Sequence, residues 1–306
     1  ARDLKHGIWQ FVWDHLADDV PEFPFAYRLS TWPQPLHQSQ RNVLLKMSAY
    51  FSQGHTVDYV QQQMQVGTPL IHRYLFACRI AQMLTEIPVE EHSTTHHLAT
   101  VSPPAQTGAV RGFLSKLRKK LGLNGTIMIL QQHKIVFAGT MGAGKSEAIK
   151  SLSSIEVLAT EAINTDTEAN SKMFTTVGID YGELVLEDGT KVGLYGTPGQ
   201  ERFDFIWNMI CKGALGIIIL IDHSIEQPIE HLNFYLNSFK AMSDNIVIGI
   251  THLDQKTAHT TAIYREWEEQ GGHQGLPLFF IDARQKDDVL LLVEALIAHA
   301  EVYLES

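Results

Sequence analysis

"KIVFAGTMGAGKSEAIK", residues 134–150, decides how this chain folds. KIVFA (134–138) is an apolar run of strand length. It enters a glycine-rich turn, GTMGAGKS (139–146), and a helical pattern, KSEAIKSLSSI, follows. The turn satisfies G-x-x-x-x-G-K-S in the strand–turn–helix context that motif needs. Gly139, Gly142 and Gly144 let the backbone close, so that N–H groups, including that of Ala143, converge on phosphate oxygens. The helix N-terminus adds its positive dipole end. Lys145 sets a cation on the β- and γ-phosphates, and the Ser146 hydroxyl is a Mg²⁺ ligand. The reading is a nucleotide site rather than a chance glycine turn.

Working outward, strand and helix patterns alternate from about residue 126. IDYGELVLEDGTKVGLYG (179–196) reads as a hairpin turning at Asp188-Gly189. ALGIIILID (214–222), NIVIGIT (245–251) and LFFIDA (278–283) are buried-type strands, and DDVLLLVEALIAHAEVYL closes the chain as a helix. The expectation is an α/β fold: a mostly parallel six-stranded sheet with one antiparallel edge strand.

Further motifs follow the phosphate turn in chain order: TTVGIDYGEL (175–184), GTPGQE (196–201), THLD (251–254) and DAR (282–284). Five motifs in this order resemble the Ras superfamily of small GTPases, over about residues 130–306. The resemblance implies GTP/GDP as ligand and Mg²⁺ as cofactor. It implies that Thr176 closes over Mg²⁺ and the γ-phosphate, that Gly199 offers its N–H to that phosphate, and that Gln200 orients the attacking water. Asp254 would accept from the guanine ring, with Thr251 and His252 in the rest of that clamp, and the Ala283 N–H would meet the guanine carbonyl. The metal ligands would be Ser146 and Thr176; Gln200, Lys145 and Thr176 would carry catalysis. The Gly-Thr-Pro-Gly-Gln-Glu turn is similar to that of the prokaryotic MglA-related group. That narrower likeness implies work in cell polarity, motility or pilus regulation, with a roadblock-fold activating protein and an effector as partners.

The chain also departs from the pattern. Gly196 stands where most relatives have an Asp that supports a metal-bound water. Weaker metal retention and faster GDP loss are expected, with Asp222 weighed as a compensating acid against a solvated strand-end acid. Thr251 in place of Asn loses a tether to the phosphate loop, and His252 in place of Lys loses a stem over the base. Met141 puts a bulky side chain on the loop's lip. No arginine lies between Arg118 and Arg202, so the first switch has no arginine finger of its own.

Upstream, residues 1–85 read as helices. SQRNVLLKMSAYF (39–51) has an apolar face; TVDYVQQQMQV (56–66) opens on Thr56 as N-cap; TPLIHRYLFACRIAQML (68–84) opens on Thr68 as N-cap with Pro69 next. The last two, with His72, Arg73 and Arg79 on the second, resemble a helix-turn-helix or winged-helix unit. Residues 86–125 have linker composition and end in RGFLSKLRKKLG (111–122), a basic amphipathic segment. It reads as a helix docking on its neighbour, with contact to acidic lipid the lesser alternative. The linker's His92, His96 and His97 invite a metal reading, which the lack of a fixed template disfavours. The expected domains are therefore 1–85, 86–125 and 126–306.

Composition is that of a soluble globular protein, 44% hydrophobic and 19% charged. Residues 1–125 hold 12 Lys/Arg against 9 Asp/Glu, and residues 126–306 hold 12 against 25. The acidic half is a poor nucleic-acid surface, and DNA is disfavoured as a partner. No run approaches the ~20 apolar residues of a spanning helix. Two distant cysteines read as reduced structural thiols, giving a cytoplasmic expectation, with recruitment to the inner membrane face or a cell pole. The leading reading is a GTP-hydrolysing switch. A nucleotide-binding scaffold with little turnover and a nucleotide-gated DNA-binding regulator are the alternatives.

Overall fold

The computed structural model describes residues 4–16, 20–35, 38–87, 133–163, 176–185, 191–199, 204–255, 257 and 259–305. In chain order they form α1 (Leu4–His15), β1 (Ala26–Leu29), α2 (Gln38–Ser52), α3 (Val57–Met64), α4 (Thr68–Ile80), β2 (Leu84–Ile87), β3 (His133–Gly139), α5 (Lys145–Leu152), β4 (Leu158–Ile163), β5 (Thr176–Val185), β6 (Lys191–Gly196), α6 (Asp204–Cys211), β7 (Gly216–Asp222), α7 (Pro228–Lys240), β8 (Ile246–Thr251), α8 (Ala262–Gln270), β9 (Leu278–Phe280) and α9 (Lys286–Glu305). Contacts divide the chain into two units. One comprises 112–257 and 281–296; the other comprises 1–111, 258–280 and 297–306. The division differs from a simple cut at 126, because two later segments cluster with the N-terminal elements.

In the first of these units six strands lie in the order β4-β5-β6-β3-β7-β8. β3 is parallel to β6 and β7, and β7 to β8. Only β5 is reversed, antiparallel to both β6 and β4. This is the mostly parallel α/β sheet expected from the strand–helix alternation. β4 is an addition: LATEAI lacks the alternation of a half-buried strand, and it pairs because the ten-residue β5 offers an open edge. The turn at Asp188-Gly189 falls outside the described residues.

The central strands are apolar runs because both faces are covered. Ile135–Ala138 and Ile217–Ile221 are buried throughout. On α7, Leu232, Tyr235, Leu236 and Phe239 recur at helical spacing and are buried. Trp207 of α6 stacks on Phe239 at 4.8 Å between ring centroids. The thiols of Cys78 and Cys211 are buried, and burial pushes them up to about 12 and about 11. Both are therefore protonated, structural thiols at neutral pH.

The second unit explains its own membership. Trp32 Nε1 donates to the Gly275 carbonyl at 2.8 Å, Gln34 Nε2 to the Phe280 carbonyl at 2.8 Å, and Thr31 Oγ1 to Glu268 at 3.1 Å. The capping expectation for α3 holds, with Thr56 Oγ1 accepting from the Tyr59 N–H at 3.3 Å. For α4 it shifts by one residue. Gly67 is the extended N-cap, so Thr68 and Pro69 both lie in the first turn. The α3–α4 turn uses Gln65 in the left-handed region (φ 54°), not Gly67.

β1 and β2 pair antiparallel, and Ala26 bridges Thr56. Neither strand was evident from periodicity, being four residues long. α1 lies within the stretch read as helical, and it engages one basic residue of α4. Arg73 donates to the Trp13 carbonyl at 3.0 Å and lies over the Trp13 ring. Phe23 packs near both His72 and Arg79. The cations suggested for a nucleic-acid face are thus engaged with aromatic groups of their own unit. Residues 88–132, with the linker and the basic segment, lie outside the described residues.

Candidate functional site

Four loops meet here: those that follow β3 and β6, the 251–254 segment after β8, and the 282–284 turn. The phosphate loop leaves β3 at Gly139, whose φ of 125° is closed to most L side chains. A Cβ there would sit 1.8 Å from the Leu220 carbonyl oxygen on the paired β7, so only glycine fits. Thr140 fastens the loop to the same strand: its N–H donates to the Leu220 carbonyl at 3.2 Å, and its Oγ1 accepts from the Asp222 N–H at 3.3 Å. Gly142 and Gly144 also have positive φ, 81° and 88°. Gly144 then caps α5, whose first turn leaves N–H groups without intrahelical partners.

Lys145 is inside this loop. Its Nζ donates to the carbonyls of Gly139 at 2.9 Å and Thr140 at 2.6 Å. Burial lowers its ammonium from 10.5 to about 8, and the Asp180 carboxylate partly opposes that fall. The outer side of the loop is held by the 251–254 segment. Thr251 Oγ1 donates to the Ala143 carbonyl at 3.0 Å and lies 3.2 Å from the Ile221 carbonyl. The tether expected to vanish with Asn at this position is therefore present. A short hydroxyl suffices because Thr251 is at the end of β8, in register with Asp222 of β7.

His252 is similarly reassigned. Its backbone is left-handed (φ 58°), and Nε2 meets the Gly142 carbonyl at 2.9 Å. Gln255 Nε2 lies 3.2 Å from Nδ1, so both ring nitrogens are engaged. The imidazole therefore braces the phosphate loop in the position where a lysine stem was expected over the base. With Gly142 and Ala143 carbonyls occupied from outside, and those of Gly139 and Thr140 occupied by Lys145, the loop's acceptors are drawn away from the space an anion would take.

The DAR turn closes the other wall. A Cβ on Gly144 would lie 2.7 Å from the Ala283 Cβ, so turn and loop are in close contact. Asp282 holds Arg284 through Nη2 at 2.7 Å and Nε at 2.8 Å, and Arg284 Nη2 also reaches Asp254 at 3.3 Å. Arg284 keeps the Asp282 carboxyl below its usual range. Asp254, 64% exposed, is available to a ligand from solvent.

The fourth loop brings Gly199 against the phosphate loop. A Cβ at Gly199 would be 2.7 Å from the Met141 N and Cα and 2.8 Å from Lys145 Nζ. Tyr235 of α7 holds it there, donating to the Gly199 carbonyl at 2.9 Å. Met141 is 68% exposed, at the loop's lip as anticipated. Gln200 is outside the described residues. Thr176 begins β5, and its side chain is not among those described.

The acids are arranged differently from expectation. Asp222 Oδ1 accepts from the Ser224 N–H at 2.8 Å and its hydroxyl at 2.6 Å, shaping the turn after β7. It does not reach Ser146. Asp180 does: its Oδ2 accepts from Ser146 Oγ at 2.5 Å. A hydroxyl beside a carboxylate is hard oxygen chemistry suited to Mg²⁺, which is held through few protein ligands plus phosphates. No group of three or more His, Cys, Asp or Glu forms a metal cage among the described residues. The reading of the sequence missed Asp180, Tyr235 and Arg284. Only strand register would have pointed to Asp180.

No protein-family model matches the chain. Among curated proteins, it is similar to the Ras-related protein Rab11D of Nicotiana tabacum, 27% identical over 168 residues, 52% of this chain and 70% of that one. It is also similar to RABA4b of Arabidopsis thaliana, 26% over 157 residues, 49% and 62%. Against Rab-13 of Rattus norvegicus it is 33% identical over 87 residues, 28% and 41%. Among solved structures, the G domain of the T. maritima FeoB iron transporter overlaps 56% of this chain and 99% of its own, at 18% identity and a TM-score of 0.39. At that score the overlap adds nothing to the fold seen directly. The motifs, the loop geometry and the Rab likenesses together make this region similar to Ras-like small GTPases, at low identity to the curated relatives.

Proposed function

We propose that the chain is a guanine-nucleotide switch that hydrolyses GTP to GDP slowly by itself. One observation carries this reading: Gly199, 251–254 and 282–284, far apart in sequence, converge on the 139–146 loop, which holds one buried ammonium. Lys145 and the first turn of α5 would hold the phosphates. Asp254 would accept from the guanine ring N–H and amino group, a pair adenine lacks, with the Ala283 N–H at the guanine carbonyl. When bound through Ser146 and Thr176, Mg²⁺ would neutralise charge on the β- and γ-phosphates. Gln200 would orient the attacking water, and Gly199 would sense the third phosphate.

Without an arginine between Arg118 and Arg202, the first switch must work unassisted. Hydrolysis on the order of 10⁻⁴ s⁻¹ is expected for such a site. This leaves room for an activating partner, for which the resemblance to the MglA-related group suggests a roadblock-fold protein. Roles in polarity, motility or pilus function, and recruitment to the membrane or a pole, rest on that same resemblance.

The test is calorimetric titration with GDP, GTP and ATP, with Asp254→Asn as control. Tight guanine binding that the variant loses is expected; equal affinity for all three nucleotides would refute the guanine reading. A scaffold with little turnover is the second reading, favoured by Gly199 packed against the Met141 backbone. Phosphate release stimulated by a roadblock-fold partner, and abolished by Gln200→Leu, decides for the enzyme.

A further inference from the structure

We infer that Asp180 supplies the carboxylate that Gly196 lacks, supporting Ser146 and a water on the bound divalent cation. The inference rests on the nucleotide-switch reading and adds a positioning residue to it. Three independent observations converge on this acid.

The first is register. Asp180 on β5 lies directly opposite Gly196 on β6. Facing residues of an antiparallel pair project from the same side of the sheet, with Cβ atoms about 5 Å apart. The second is volume. A Cβ on Gly196 would lie 3.1 Å from the Asp180 Cβ, 3.3 Å from its Oδ2 and 3.1 Å from Ile149 Cδ1. The Asp180 side chain therefore fills the space that a residue at 196 would enter. A side chain at 196 would press on the acid by a few tenths of an ångström, which glycine at that position avoids. The third is contact. Asp180 Oδ2 accepts a hydrogen bond from the Ser146 hydroxyl at 2.5 Å, and the acid acts electrostatically on Lys145. The acid thus addresses the metal-directed hydroxyl and the phosphate-directed ammonium of the phosphate loop.

The nearby alternatives are committed elsewhere. Asp222 is bound to Ser224. Glu183, two residues further along β5, is paired with Lys191 at 2.8 Å and accepts from the Tyr181 hydroxyl at 2.6 Å. An acid in the outer coordination sphere tunes metal affinity about ten- to a hundredfold. Gly196 then marks a transfer of the carboxylate between neighbouring strands.

The experiment measures release of fluorescent GDP from the full chain as a function of free Mg²⁺. Wild type should release GDP more slowly as Mg²⁺ rises. Asp180→Asn should need about ten- to a hundredfold more Mg²⁺ for the same slowing, while release in EDTA stays within about twofold of wild type. Asp222→Asn should match wild type. Asp180→Gly should share the loss, and Asp180→Gly with Gly196→Asp should restore Mg²⁺ sensitivity to within about threefold of wild type. A wild-type Mg²⁺ requirement in Asp180→Asn overturns the inference, as does a folded double variant that stays insensitive. If wild type itself holds no GDP in excess Mg²⁺, the switch reading falls and takes this inference with it.

Discussion

Raising the pH from 7 to 9 should weaken guanine-nucleotide binding about tenfold through Lys145 alone. The side chain is 8% exposed, and burial brings its ammonium down from 10.5 to about 8. In the empty protein about ten-elevenths of Lys145 is then charged at pH 7 and about one-eleventh at pH 9. Phosphate needs the charged form, so the difference is about tenfold, or about 1.4 kcal/mol. Stability of the empty fold moves the other way. The unfolded lysine titrates near 10.5, so between about pH 8 and pH 10.5 the unfolded chain holds more protons, and stability rises with pH there. Above pH 9 the buried thiols Cys78 and Cys211, raised to about 12 and about 11, act against it, because the unfolded thiols lose protons first. The assay is fluorescent-GDP titration at pH 7, 8 and 9 on wild type and Lys145→Arg. Arginine stays charged throughout, so its slope contains only what the nucleotide and other residues contribute. Parallel slopes in the two proteins would refute the argument.

Thr251→Val should cost about 1–2 kcal/mol of stability and raise the GDP dissociation rate, since it removes the contacts to the Ala143 and Ile221 carbonyls; thermal melts and stopped-flow release read both. Gly139→Ala should abolish nucleotide binding or soluble expression, because its Cβ would overlap the Leu220 carbonyl oxygen; normal GDP affinity would contradict the close approach of β3 and β7. Thr56→Ala should destabilise the helical unit by about 1 kcal/mol through loss of the α3 cap, visible in denaturant unfolding, with GDP affinity unchanged. Arg284→Ala should leave the denaturant-unfolding midpoint essentially unchanged, because its ion pairs are exposed to solvent.

Much of this was legible in the one-dimensional pattern. Buried parallel strands need apolar residues on both faces, so ALGIIILID and NIVIGIT announced themselves as β7 and β8. The phosphate loop was legible because its backbone tolerates only glycine at particular positions, and the Lys145–Ser146 pair must begin the next helix. The chain order of motifs followed, since each sits where a strand ends. These are local constraints, and local constraints leave their mark on residue type and spacing.

Pairing between distant residues leaves no such mark. Thr251 and His252 were read by what they replace, while their actual partners, the Ala143 and Gly142 carbonyls, lie more than a hundred positions away. β4 exists only because β5 offers it an edge, and 258–280 joins the N-terminal elements through bonds from Thr31, Trp32 and Gln34. The sequence alone determined that a phosphate-binding loop opens an α/β sheet and that position 196 carries no acid. That an acid on β5 faces position 196 was decided by tertiary structure, because residues on separate segments become neighbours only once their strands are paired.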